Sequence, residues 1–149
     1  MKQLQNGVNN KLKLLLWFHS LAGLSFGLTF LVVPDFLSNL LGVPTDAMGT
    51  IGWRYFGLMI LGIAGIAFGS RNKTVDEVRF PILLVFFLLY IAMVLLKLAL
   101  ALFTGLELNL WMWFVIGIHV FMAVAYGSFL YMGKQTRTVT PEIAIPGQG

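Results

Sequence analysis

The chain has 149 residues, 58% of them hydrophobic and 11% charged, with a net charge of +4 and no cysteine. A soluble domain carries about 25% charged residues, so no soluble domain of any size fits beside the apolar segments. The lack of cysteine excludes disulfides, iron–sulfur clusters and thiol catalysis, and the basic residues sit at the ends of apolar runs, where topology explains them better than nucleic-acid binding does.

Four apolar runs, approximately 14–33, 51–69, 81–103 and 110–132, each reach the ~20 residues that a helix needs to cross a ~30 Å hydrocarbon layer. The pattern predicts an all-α integral membrane four-helix bundle in a single domain over 1–149. The first run follows Lys2, Lys11 and Lys13 and is too long for a signal-peptide core, with Val32-Val33-Pro34-Asp35 where a small-residue cleavage site would stand. It reads as a retained span. Residues 34–42 open on a helix-starting proline and close on a glycine stop. They form a short outer interfacial helix with Phe36, Leu37, Leu40 and Leu41 on one face and Asp35, Ser38 and Asn39 on the other.

The second span is followed by a loop with Arg71, Lys73 and Arg79, and with Thr74-Val75-Asp76-Glu77, a capping-box pattern. Pro81 then either kinks a continuous helix or marks a surface turn before the third span. The connection 104–109 is short enough to make spans three and four antiparallel neighbours, with Asn109 as N-cap of the fourth. The tail 133–149 is expected to be flexible. Basic residues cluster at the N-terminus, in the second loop and in the tail, whereas the other two loops hold Asp35, Asp46 and Glu107. The positive-inside rule therefore places both termini in the cytoplasm.

Close helix packing in lipid relies on small residues. Ser20, Gly23 and Gly27 mark the first span, Gly62, Gly65 and Gly69 the second, and Gly117, Ala123 and Gly127 the fourth. The third has no glycine. Spans one, two and four are thus expected to pack tightly, leaving span three to lipid or a partner. Trp17, Trp53, Trp111 and Trp113 fit interfacial belts.

A few polar groups lie inside the spans. Arg54 and Lys97 fall in the outer half, at depths on the order of 6–10 Å; either they snorkel outward to Asp35, Asp46 or Glu107, or they line an outward-opening pocket. His19 lies about five residues into its span and His119 about nine, which gives depths of ~7 and ~19 Å from the inner edge. That offset excludes the pair as axial ligands of one haem iron. One histidine holding a chlorophyll-type magnesium stays open, and so does a neutral histidine bonded to a hydroxyl or carbonyl such as Tyr90 or Ser20. Tyr90 and Lys97 share a face of span three, as His119 and Tyr126 share a face of span four. Arg54, Tyr90, Lys97, Glu107 and His119 would form a polar track from midplane to outer surface, the candidate ligand site; His19 and His119 are the candidate cofactor ligands. No catalytic set, metal cluster or phosphate loop accompanies them.

Phe30-Leu31-Val32-Val33-Pro34-Asp35-Phe36-Leu37, Leu40-Leu41-Gly42-Val43-Pro44 and Gly52-Trp53-Arg54-Tyr55-Phe56-Gly57 resemble segments of small bacterial four-span proteins of the DoxX-like and DUF4345-like type. The resemblance implies a four-span fold in the bacterial cytoplasmic membrane. DoxX itself is linked to quinone-dependent thiosulfate oxidation, and Arg54 is the one residue that carries over.

Two functions follow as expectations. The first is a non-catalytic accessory or scaffold subunit, bound to other membrane subunits through span 81–103 and the tail, with no cofactor of its own. The alternative is a protein that binds a quinone, lipid or pigment in the polar track.

Overall fold

The computed structural model describes residues 2–73 and 76–138, with side chains over 6–73 and 80–132. Its helices are α1 (Lys2–Val32), α2 (Pro34–Leu40), α3 (Ala47–Ser70), α4 (Asp76–Thr104) and α5 (Leu110–Thr138). All except the short α2 are long and apolar enough to cross a membrane.

α1 begins well before the expected position 14, because the polar segment Asn6–Asn10 continues the helix rather than preceding it. At 1.5 Å per residue its 31 residues extend about 46 Å, longer than a hydrocarbon layer is thick. α4 runs unbroken through Pro81. A proline so near a helix start removes a single backbone bond and crowds only the first turn. α5 continues to Thr138, past the expected end at 132. Residues 139–149 of the tail and the Thr74-Val75 start of the capping box lie outside the described residues.

Both tight turns need a glycine: Gly42 at φ 77° and Gly105 at φ 68° occupy the left-handed region, which a Cβ disfavours. Asn109 secures their end of the bundle. Its Oδ1 accepts from the Met112 N–H at 2.9 Å, capping α5, and its Nδ2 donates to the Leu40 carbonyl at 3.0 Å. The α4–α5 loop is thereby tied to α2. Within α2, Pro34, Leu37 and Ser38 are buried while Phe36 is exposed. The buried line follows i, i+3 and i+4, so the expected apolar face was rotated by about one residue.

The long helices form two pairs, α1 along α3 and α4 along α5. In the first pair the backbones nearly touch. A Cβ on Gly57 would lie 2.8 Å from the Gly27 carbonyl oxygen, and one on Gly23 would lie 2.8 Å from Ala64 Cβ. The small-residue seam expected between spans one and two is therefore present, but it uses Gly57 and Ala64. Around Gly62, Gly65 and Gly69 a Cβ would meet nothing within 4 Å. α5 does not join that seam, contrary to expectation; it packs on α4, with Gly127 against the Phe87 ring, and Gly117 faces open space. α4 is the least buried of the four, as its composition suggested. The core where the pairs meet consists mainly of large side chains, Leu12, Leu15, Leu16, Leu83, Phe86, Met122 and Tyr126, with Ala67 as the one small member.

Candidate functional site

At the level of that core, midway along α1 and α4 and beside the last turns of α3, lies a cluster of rings with polar edges. His19 of α1 is buried between α4 and α5. Its Nδ1 lies 2.6 Å from the Tyr126 hydroxyl and its Nε2 3.1 Å from the Tyr90 hydroxyl. The Tyr90 and Tyr126 rings stack at 6.0 Å, and Phe86 closes over His19 at 4.7 Å. In lipid, hydrogen bonds between helices are among the few directional forces that hold a bundle together. Here they join α1 to α4 and α5 and so link the two pairs. Both nitrogens of His19 are engaged by these two phenols.

The cluster continues on one side. The His119 ring lies 5.5 Å from the Tyr90 ring, and His119 Nδ1 is 2.6 Å from the Val115 carbonyl. A carbonyl only accepts, so Nδ1 carries the proton and Nε2 of the neutral ring presents a lone pair. Lys97 stands two turns along α4 from Tyr90, on the same face of the helix. Tyr126 is fully enclosed, whereas Tyr90, Lys97 and His119 are half-buried. The cluster thus has a closed end at His19 and Tyr126 and an open end at Tyr90, His119 and Lys97.

Of the five residues expected to form a track, the structure gathers Tyr90, Lys97 and His119. Arg54 is exposed on α3, which packs lengthwise on α1, and Glu107 is exposed in the α4–α5 loop. The acids expected to meet the buried cations serve local roles instead. Asp35 accepts from the Thr50 hydroxyl at 2.7 Å and Asp46 caps α3 through the Gly49 N–H at 2.8 Å.

His19 and Tyr126 belong to the cluster, although the depth argument set His19 ~12 Å away from His119. Tyr90 spans that offset: its ring touches His19, which stands beside Tyr126, and His119, two turns along α5 from Tyr126. The shared face of His119 and Tyr126, seven residues apart, was the available signal. An apolar groove of about 300 Å³ runs along the α4–α5 seam, lined by Phe87, Ile91, Val94, Ala123, Val124 and Gly127 among others, with no polar side chain in its lining. Among the described residues, no three His, Cys, Asp or Glu side chains converge as a metal site would require.

No protein-family model, curated protein or solved structure matches the chain.

Proposed function

We propose that this is an integral membrane protein, with both termini cytoplasmic in a bacterial cytoplasmic membrane, that binds a small lipid-soluble molecule at the open end of the ring cluster. The supporting observation is the half-buried Tyr90–His119–Lys97 face. Polar groups at that depth are expensive in hydrocarbon unless they meet other polar groups, and the closed end alone accounts for His19 and Tyr126. The apolar groove on the same two helices offers the apolar body of such a molecule, a quinone, lipid or pigment, a bed between α4 and α5.

The experiment is purification of the full chain in mild detergent, followed by an absorption spectrum and mass spectrometry of the solvent extract. A molecule retained by the wild type and lost from Lys97→Gln and His119→Gln supports the reading. A colourless protein that retains no small molecule and elutes with a stoichiometric membrane partner overturns it. That result favours the second reading, an accessory subunit, which rests on the wide apolar exposure of α4.

A further inference from the structure

The proton inventory of the cluster identifies the chemical group that its open end takes. His19, Tyr90 and Tyr126 together carry three exchangeable protons when neutral, one on the imidazole and one on each phenol. The two bonds among them use two. One phenol must donate to the imidazole and the other must accept from it, so the accepting phenol keeps an unused O–H.

Two observations decide which phenol that is. The 2.6 Å contact to Tyr126 has the length of a bond with an O–H donor, while the 3.1 Å contact to Tyr90 falls in the N–H···O range. Tyr126 is also fully enclosed, where an unused O–H would be stranded in an apolar core. Tyr126 therefore donates to Nδ1, and Nε2–H donates to Tyr90. The remaining O–H belongs to Tyr90, the less enclosed of the two residues.

Its neighbour has the complementary need. His119 donates through Nδ1 to Val115 and holds a lone pair at Nε2. Among the described residues, Tyr90 and His119 make no hydrogen bonds with side chains or backbone beyond these. The one enclosed, unpartnered side-chain polar atom among the described residues is Thr45 Oγ1, so Nε2 of His119 opens to reachable space. A donor and an acceptor thus stand on touching rings, 5.5 Å between centroids, without bonding each other.

We infer that a single hydroxyl bridges them, accepting from Tyr90 O–H and donating to His119 Nε2, and that it is the head of a neutral apolar alcohol or phenol. This rests on the open end being a binding site. A carboxylate, phosphate or carbonyl could use the Tyr90 donor but would leave Nε2 facing an acceptor; water would satisfy both groups without any apolar body.

The test uses the full chain in phosphatidylcholine nanodiscs, titrated with para-nonylphenol and, separately, with its methyl ether. Binding is followed through the nitrogen NMR shift of His119 Nε2. The phenol is expected to move that resonance toward the value of a hydrogen-bonded acceptor. The ether, which cannot donate, should bind about tenfold or more weakly, the ratio one lost hydrogen bond in a dry site gives. Tyr90→Phe should weaken the phenol by a similar factor and Tyr55→Phe, exposed on α3, not at all. Equal binding of phenol and ether overturns the hydroxyl inference and leaves the site reading standing. If neither probe binds, and Nε2 already accepts a bond lost on lowering water activity, the bridge is water and both readings fall.

Discussion

The two junctions of this bundle are built from opposite materials. Between α1 and α3 the helices meet through Gly23, Gly27, Gly57 and Ala64, with backbone against backbone, flanked by the Phe30–Trp53 stack towards one end and by Trp17 against Phe68 and Arg71 at the other. Between the α1–α3 pair and the α4–α5 pair the distance is filled by Phe86, Met122 and Leu16, and the directional bonds run through His19, Tyr90 and Tyr126. The first junction has one arrangement, because dispersion between close surfaces falls off within an ångström of separation. The second can accommodate change, since side chains rather than backbones span it. Rigid packing and polar chemistry are thereby kept on different interfaces, and the open end belongs to the second.

The largest test of this contrast is Gly57→Leu. A side chain there must displace the Gly27 backbone, which is not flexible, so the α1–α3 pair should not form. Protease resistance and a thermal transition in detergent should both be lost. Gly57→Ala should retain the fold at a cost of about 2–3 kcal/mol, the ordinary penalty for overpacking. If either variant unfolds like the wild type, the seam is looser than the approach distances state.

His19→Leu attacks the other junction. It keeps the volume near native and removes both inter-pair hydrogen bonds, leaving two phenols to find partners in an apolar layer. A loss of about 2 kcal/mol is expected, smaller than for Gly57→Leu because the apolar core around it survives. Crosslinks between α1 and α3 should still form in this variant while those between α1 and α5 weaken. Tyr126→Phe removes one of the two bonds, and about 1 kcal/mol should follow. In a double-mutant cycle with His19→Leu the two effects should be non-additive, because both delete the same contact. Simple additivity would mean that the 2.6 Å contact contributes nothing.

Much of this design was legible in sequence, and the reasons for the exceptions are physical. Span length and hydropathy locate the four long helices because lipid allows few alternatives to a helix. Asn109 could be read as a cap, since its amide stands directly before an apolar run. Residues 2–13 hid the true start of α1, because a helix that leaves the bilayer carries polar residues without changing its geometry. A count of residues along the spans set His19 apart from His119, and it could not show that the Tyr90 ring reaches both. Glycine spacing revealed that a seam exists, but not which glycines form it: Gly62, Gly65 and Gly69 match the motif as well as Gly57 does, and only the rotation of α3 against α1 separates them. Arg54 was grouped with Lys97 because depth was the one coordinate available; the two lie on helices of different pairs.

The rotation of α3 is open to a gentler test, with the smallest expected effect. Gly62 belongs to a helix interior and a Cβ there would meet nothing within 4 Å. Alanine removes backbone freedom from the unfolded chain and is favoured over glycine in a helix by roughly 0.5–1 kcal/mol. Gly62→Ala should therefore raise the unfolding midpoint slightly, in contrast to the loss at Gly57, five residues earlier on the same helix. The opposite signs would fix which side of α3 meets α1. A destabilised Gly62→Ala in purified protein would place a packed surface on the other side of α3, and the two-pair arrangement would have to be redrawn. If the variant is stable alone yet fails to assemble in the native membrane, that side of α3 is where another chain packs, and the accessory-subunit reading gains the contact surface that α4 was expected to provide.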